Sequence, residues 1–258
     1  MTKLSAIVLT RNEETNLSRC LASLHWCDEI IVLDDFSSDQ TPLLAAKSRK
    51  AKLFRRHTNG DLAAQRNFAL DKASGEWVLF VDADEEVSPV LAKEINGVLS
   101  GNKNMSGYFL RRRDSFWGRW LNYGETGNVK LLRLAKKSAG RWRRRVHETW
   151  HVSGRVGEMQ NPLWHYPHPT IHDFLASINR WTEIDAGELT TEGKSFRFFR
   201  VFVNPTGKFL QNYILKLGFL DGLPGFVSAF MMSLHSLIVR VKQYDLATKP
   251  ANPAAKTP

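Results

Sequence analysis

Residues 76–86 read EWVLFVDADEE: an apolar run from Trp77 to Val81 that stops at Asp82-Ala83-Asp84-Glu85-Glu86. Five apolar residues without polar alternation suit a strand covered on both faces, where each side chain, up or down, must meet an apolar neighbour. Two earlier stretches have the same form. Ser5–Thr10 (SAIVLT) runs into Arg11-Asn12-Glu13-Glu14, and Glu29–Leu33 (EIIVL) runs into Asp34-Asp35-Phe36-Ser37-Ser38-Asp39. Between them, Leu17, Cys20, Leu21 and Leu24 fall at helical spacing within Glu14–Leu24. Thr41 and Pro42 read as the start of a second helix through Lys50, since proline at the first helical position loses no hydrogen bond. Ala51–Arg55 (AKLFR) reads as a short strand, Asn59-Gly60 as a turn and Leu62–Lys72 as a helix closed by Ser74-Gly75. Apolar strands alternating with helices predict an α/β fold, a mostly parallel sheet with helices on both faces.

In such a sheet ligands collect beyond the carboxyl ends of the strands. Here those ends are acidic, and converging carboxylates repel unless a cation or hydrogen-bond donors compensate. A divalent metal is the expected cation, although Ser37, Ser38 and Asp39 would serve equally well as caps of the following helix. No GxGxxG follows the first strand and no GxxxxGK[ST] occurs. A dinucleotide oxidoreductase and a P-loop nucleotidase are therefore disfavoured, and any bound diphosphate would need a carboxylate-held metal to neutralise it.

The chain has 258 residues, enough for one large domain or one domain with an appendage. Only two cysteines occur, Cys20 and Cys27, with no metal-site spacing around them, which excludes a disulfide scaffold and points to a reducing cytosol. The first apolar run is too short for a signal-peptide core, so no export is expected. The net charge of +10 is uneven. Residues 1–100 hold 12 Lys and Arg against 15 Asp and Glu, net −3, whereas residues 101–258 hold 24 against 11, net +13. An acidic partner is expected: nucleic acid, an anionic membrane or a phosphorylated substrate.

Beyond residue 100, Gly107–Arg112 and Val129–Leu134 read as strands, flanking an aromatic stretch with Phe116, Trp117, Trp120 and Tyr123 that would serve as core or as stacking surface for sugars. Arg141–Trp150 (RWRRRVHETW) interleaves basic residues with tryptophan, but no recognised nucleic-acid-binding pattern accompanies it. Helices are predicted over Ile171–Leu189 and Ser195–Phe202, then an apolar region from Phe209 to Val241 and a disordered tail over 248–258.

Four segments in order, AIVLTRNEE, VLDDFSSDQT, AQRNFAL and WVLFVDADEE, resemble the successive signatures of family 2 inverting glycosyltransferases of the GT-A fold. The second part, including SFWGRWL, RRRVHETW and LWHYPHPTIHDFLASINRWT, is similar to the bacterial group that adds glucose, in β-1,4 linkage, to lipopolysaccharide inner-core heptose. The resemblance implies a Rossmann-like GT-A domain over 1–190, with a nucleotide-sugar half (1–100) and an acceptor half (101–190). A helical membrane-proximal extension over 191–247 would follow.

It also implies residue roles. Thr10, Asn12 and Glu13 would border the nucleobase and ribose, Asp35 would accept from uracil, and Arg66 would approach the nucleotide. Asp82 and Asp84 form the DxD pair, with Asp82 near ribose or metal and Asp84 ligating Mn2+ or Mg2+; His165 is a further metal-ligand candidate, with His168 and His172 close by. Glu148 stands where the family carries its catalytic base, with His147 in place of the usual neighbouring carboxylate. On the residues alone, Glu148 could instead pair with Arg141, Arg143, Arg144 or Arg145.

The expected reaction is inverting transfer of a hexose, glucose from UDP-glucose, to a lipid-linked saccharide, with no nucleic acid involved. A polyprenyl-phosphate sugar transferase and a basic nucleic-acid-binding module are the competing readings. Gly222–Val239 contains no Lys, Arg, Asp or Glu over 18 residues, at the lower edge of a bilayer span, but Pro224, Gly225 and several serines interrupt it. It therefore predicts a helix lying in an anionic membrane surface, and a peripheral protein on the cytoplasmic face of the inner membrane, with a buried hairpin or dimer contact as the alternative.

Overall fold

The computed structural model describes residues 2–101, 104–127, 129–145, 148–167 and 170–248. The chain divides into two compact units, residues 1–114 with 129–166 and residues 115–128 with 167–258. In chain order the first unit begins β1 (Leu4–Thr10), α1 (Leu17–Ser23), β2 (Glu29–Asp34), α2 (Thr41–Lys47), β3 (Ala51–Arg55), α3 (Leu62–Lys72), β4 (Trp77–Asp82), β5 (Glu85–Val87) and α4 (Pro89–Gly101). Then come β6 (Gly107–Phe116), β7 (Arg119–Trp120), β8 (Val129–Lys136), β9 (Gly140–Arg143), β10 (Thr149–Val152) and β11 (Val156–His165). β7 and the last two residues of β6 belong to the second unit, which continues with α5 (Ile171–Thr191), α6 (Arg200–Leu210) and α7 (Gly222–Thr248).

The main sheet runs β3-β2-β1-β4-β8-β6-β11-β5. β3, β2, β1 and β4 are mutually parallel, β8 is antiparallel to β4 and β6, β11 is parallel to β6, and β5 is antiparallel to β11. The expected mostly parallel sheet is thus parallel in its first half and mixed beyond it. The apolar runs explain the central strands: β1, β2 and β4 are buried almost throughout. Leu4, Ala6 and Val8 pack on one face with Leu17 and Leu21 of α1 and Leu91 and Ile95 of α4. Ile7, Val78 and Phe80 pack on the other with α3 and with Trp142 and Trp150 of the β9–β10 hairpin. Helices therefore cover both faces, each fully buried Leu, Ile or Phe contributing about 1.5–3 kcal/mol.

Three boundaries differ from the sequence reading. α2 stops at Lys47 rather than Lys50 because Ser48 turns to extended backbone ahead of β3. Residues 195–199 are not helical; α6 begins at Arg200 and continues through Pro205 to Leu210. The units also divide elsewhere than at residue 190. Phe116 and Leu121 join Phe174 and Ile178 of α5 and Met231 of α7 in one apolar cluster, so the segment 115–128 is gathered into the helical unit. Residues 249–258, expected to be a disordered tail, His147 and His168 lie outside the described residues.

Candidate active site

Because β1, β2, β3 and β4 are parallel, the segments after Thr10, Asp34, Arg55 and Asp82 lie at one edge of the sheet. β6 and β11 run the same way, which brings Asp114 and His165 to that edge in register with each other.

The first cluster joins the loops after β1 and β2. Asn12 takes a left-handed conformation (φ 54°), tolerated by asparagine, and its N–H donates to Ser37 Oγ at 2.8 Å while its Oδ1 accepts from Ser38 N at 2.8 Å. Asp34 is sealed below by the Ser37 N–H and hydroxyl and by Arg55 Nε at 3.1 Å. Asp35 is partly buried: Arg11 Nη1 lies 3.2 Å from one oxygen, and the other accepts from Thr58 N at 3.1 Å. Beside it the exposed Phe36 ring stacks on His57, centroids 3.8 Å apart, with the Arg55 guanidinium 4.6 Å above the Phe36 ring. Asp39 precedes Gln40, the N-cap of α2, and accepts from Thr41 N at 2.9 Å and from Glu14 N at 3.1 Å. Burial pushes the Glu13 carboxyl up to about 7; the Asn16 amide counters this, and the Asp84, Asp39 and Asp82 charges add to it.

The second cluster is built on Asp82. Arg66, projecting from α3, donates through Nη2 to Asp82 Oδ1 at 3.0 Å and through Nε to Glu148 Oε1 at 2.8 Å. Arg133, from β8, donates through Nη2 to Asp82 Oδ2 at 2.5 Å. Both arginines are buried, with Arg66 over the Trp142 ring at 4.7 Å. Burial alone would raise the Asp82 pKa, but the two guanidiniums override it and hold the carboxyl well below the usual range. Glu85, buried below and donated to by the Asp82 N–H at 2.9 Å, moves the other way: burial raises its pKa, with Arg133 opposing. Two cations thus face Asp82 and Glu148, while Glu85, 3.8 Å from Arg133 Nη2, is shifted toward its neutral form, which keeps the charges near balance. Arg66 Nη1 and Thr10 Oγ1 are buried with no partner among the described residues.

The third cluster holds Asp84. Its Oδ2 lies 3.2 Å from His165 Nε2, and His165 Nδ1 lies 2.8 Å from Asp114 Oδ1. Arg112 Nε fixes Asp114 in turn at 3.0 Å. Burial disfavours the imidazolium, but the Asp84 charge and the hydrogen bonds to Asp114 and Asp84 outweigh it, and the ring is pushed up to about 10.

The Glycosyl transferase family 2 profile matches residues 5–156, a span that contains the strand ends and Glu148. The chain belongs to this family. It is 27% identical over 256 residues to the lipopolysaccharide core biosynthesis glycosyltransferase LpsC of Rhizobium meliloti (strain 1021), covering 97% of this chain and 95% of that one. An uncharacterized glycosyltransferase of Rickettsia typhi is 26% identical over 265 residues, 98% of this chain and 90% of its own. Among solved structures, the mannosyltransferase PcManGT from Pyrobaculum calidifontis, in complex with GDP-Man and Mn2+, shares the fold at a TM-score of 0.55 with 14% identity over 94% of this chain and 87% of that one. S. aureus TarS 1-349 in complex with UDP shares it at 0.50, with 17% identity over 95% and 91%.

In this family 2 glycosyltransferase the residues singled out from sequence fall into separate clusters. Thr10, Asn12, Glu13 and Asp35 line the β1 and β2 ends, and Arg66, Asp82 and Glu148 meet in one ion network. Asp84 and His165 meet each other. The expected metal set of Asp84, Asp82 and His165 is not assembled. Both Asp82 oxygens are taken by arginines, and among the described residues no three His, Cys, Asp or Glu side chains are disposed to hold an ion. Glu148 pairs with Arg66, while Arg141 pairs with Asp71.

Trp142 and Trp150 are buried, stacked at 5.4 Å, so the basic, tryptophan-rich stretch is not an open stacking platform. Phe116 is core, whereas Trp117 and Tyr123 are exposed. The sequence reading missed Arg133, Glu85 and Asp114. A lone arginine among the apolar residues of VKLLRLAK was the available signal for the first.

Proposed function

We propose that this enzyme transfers a hexose, glucose from UDP-glucose, with inversion onto a lipid-linked saccharide such as lipopolysaccharide inner-core heptose, working as a peripheral protein on the cytoplasmic face of the inner membrane. The observation that carries the reading is the Glu148–Arg66–Asp82 network at the carboxyl edge of the sheet, which sets a carboxylate base beside a buried cation. The LpsC relative, matched over nearly its full length, supports the choice of acceptor.

The uracil and ribose are read by the β1 and β2 loops, with Asp35 as acceptor and the Phe36–His57 pair as a flat surface for the base. Arg66 Nη1, a buried donor without a partner among the described residues, is placed to meet a diphosphate oxygen. In the transfer the acceptor O–H bond breaks and Glu148 takes the proton. The oxygen bonds to the anomeric carbon as the bond to the departing phosphate breaks, leaving its electron pair on UDP. Asp84 and His165, 3.2 Å apart, would hold Mn2+ or Mg2+ once the ion displaces the proton on His165 Nε2, with Asp114 fixing the other ring nitrogen. The chemistry that ion supplies when bound is stabilisation of the charge on the leaving diphosphate. Asp82 serves Arg66 and Arg133 rather than the ion.

Incubating the protein with a panel of nucleotide sugars, Mn2+ and a heptose-containing lipid acceptor tests this. Release of UDP from UDP-glucose with glucosylated product is expected; release of no nucleoside diphosphate from any donor would overturn it.

A further inference from the structure

The second unit exposes more apolar surface than folding explains. Leu215 is 77% exposed, Leu223 65% and Phe202 61%, and Phe198, Leu220 and Phe230 are exposed with them. They follow one another from Phe198, just ahead of α6, along α6, a π-helical turn (Gln211–Leu215), a 3-10 turn (Gly218–Asp221) and the start of α7. Ring contacts make the surface continuous at its centre: Phe209 with Phe226 at 5.8 Å, Tyr213 with Phe219 at 6.2 Å, and Phe226 with Phe230 at 6.4 Å. An exposed apolar patch of this kind marks a partner site.

This surface is held rigidly. A Cβ on Gly225 would come within 2.0 Å of the Gly218 carbonyl oxygen, and one on Gly218 within 2.7 Å of that of Asn212, so the turns press backbone to backbone. Asp221 accepts from the N–H groups of Asn122 and Tyr123 at 3.0 and 2.9 Å. Leu217 is held in the left-handed region at φ 58°. The exposed side chains cannot withdraw by collapse of a loose loop.

Charge selects the partner. Residues 194–248 carry seven Lys and Arg against two Asp and no Glu. An apolar face within basic surroundings matches an anionic bilayer, whereas a second copy of this chain would set like charges together. α7 with its preceding turn is long and apolar enough to cross a membrane by length and composition. Its packing argues against crossing. α5 lies along it, with His235 Nε2 3.5 Å from Asp185 and Lys242 Nζ donating to Asn179 Oδ1 at 2.8 Å, and α5 also carries Arg180, Glu183 and Glu188. Hydrocarbon would have to accept those charges as well.

We infer that the face formed by α6, the two short turns and the first turns of α7 is a monotopic anchor. Its phenylalanines and leucines enter the acyl region of an anionic bilayer, and Arg197, Arg200 and Lys216 meet lipid phosphates. This rests on the peripheral-membrane part of the proposed function and names the face that attaches.

The full chain is floated with vesicles of phosphatidylglycerol and phosphatidylcholine, and of phosphatidylcholine alone. Phe202→Glu, Leu215→Glu and Leu223→Glu are compared with Val241→Glu and Leu246→Glu, which replace exposed apolar residues near the far end of α7. Thermal melting confirms that each variant folds. Each patch variant should lose about tenfold in partitioning to the anionic vesicles, and the far-end variants less than about twofold. Equal loss in both sets, or in neither, overturns the assignment of the face. Resistance of the parent protein to alkaline carbonate overturns it in favour of a span, and a lipid-free dimer split by Leu215→Glu overturns it in favour of a second copy. No flotation of the parent protein refutes the peripheral reading itself. UDP release measured on the same samples reports separately on the transferase reading.

Discussion

The two compact units differ in how much of their phenylalanine they leave in solvent. In the first, Phe80 is fully buried, edge-on to Trp142 at 5.1 Å and to Trp150 at 5.0 Å. In the second, Phe198, Phe202 and Phe230 stand in solvent. The first unit completes its core with its own elements and reserves its polar edge for cross-paired charges. The second leaves apolar side chains that its own elements do not cover. Apolar area left exposed costs free energy in water, so the contrast separates a unit whose polar edge carries paired charges from one that leaves an apolar face uncovered, the face for which a membrane partner is proposed above. A finer contrast sits inside the first unit, where Asp82 and Asp84 are two residues apart: Asp82 is saturated by two arginines, while Asp84 faces a histidine.

That finer contrast is sharpened most by Asp84→Ala. Turnover in Mn2+ should fall about ten-thousandfold if Asp84 holds the ion as proposed, because the proposed ligand pair loses its carboxylate while no core residue is touched. Near-normal turnover by UDP-release assay would break the division between the two aspartates. Glu148→Gln comes next, with kcat lower by about a thousandfold and UDP affinity unchanged, since the amide still accepts from Arg66 but cannot take a proton. A weakened UDP Kd with kcat preserved would make Glu148 a binding residue.

The contrast between units predicts that Phe80→Ala costs about 3–5 kcal/mol in denaturant unfolding, through cavity formation beneath the tryptophan pair. Phe202→Ser should cost less than about 0.5 kcal/mol in the same measurement, and a large loss there would show that the exposed face is structural after all.

A smaller effect concerns Glu13. Its folded pKa, about 7, lies above the ordinary 4.5, so the folded state holds a proton that the unfolded state releases first. The corresponding stability is fully present below pH 4.5 and is lost as pH rises through 7. Glu13→Gln should flatten the fall of the melting temperature across that window, and an unchanged pH profile would remove Glu13 from the acidic cluster.

Residues 1–86 were legible because each strand there is a short apolar run that announces its own burial, and parallel pairing then forces the acidic segments after them to one edge. β11 was not legible. VGEMQNPLWH carries glycine, glutamate, asparagine and proline, and its pairing with β6 shifts register between Glu158 and Pro162, so no alternation survives to be read. The β9–β10 hairpin was hidden for a related reason: its tryptophans sit among arginines that suggest a solvated face.

The sequence by itself determined the strand–helix order, the acidic strand ends, the family and the apolar, basic character of the last sixty residues, because these depend on local periodicity and composition. Only the tertiary structure decided how the charges are shared. Arg66 from α3 and Arg133 from β8 converge on Asp82, and the register of β11 on β6 sets Asp114 behind His165 so that the imidazole spans Asp114 and Asp84. These pairings join residues 16 to 81 positions apart, and which carboxylate meets an arginine and which a histidine is set by strand order and register, quantities that no local run of residues encodes.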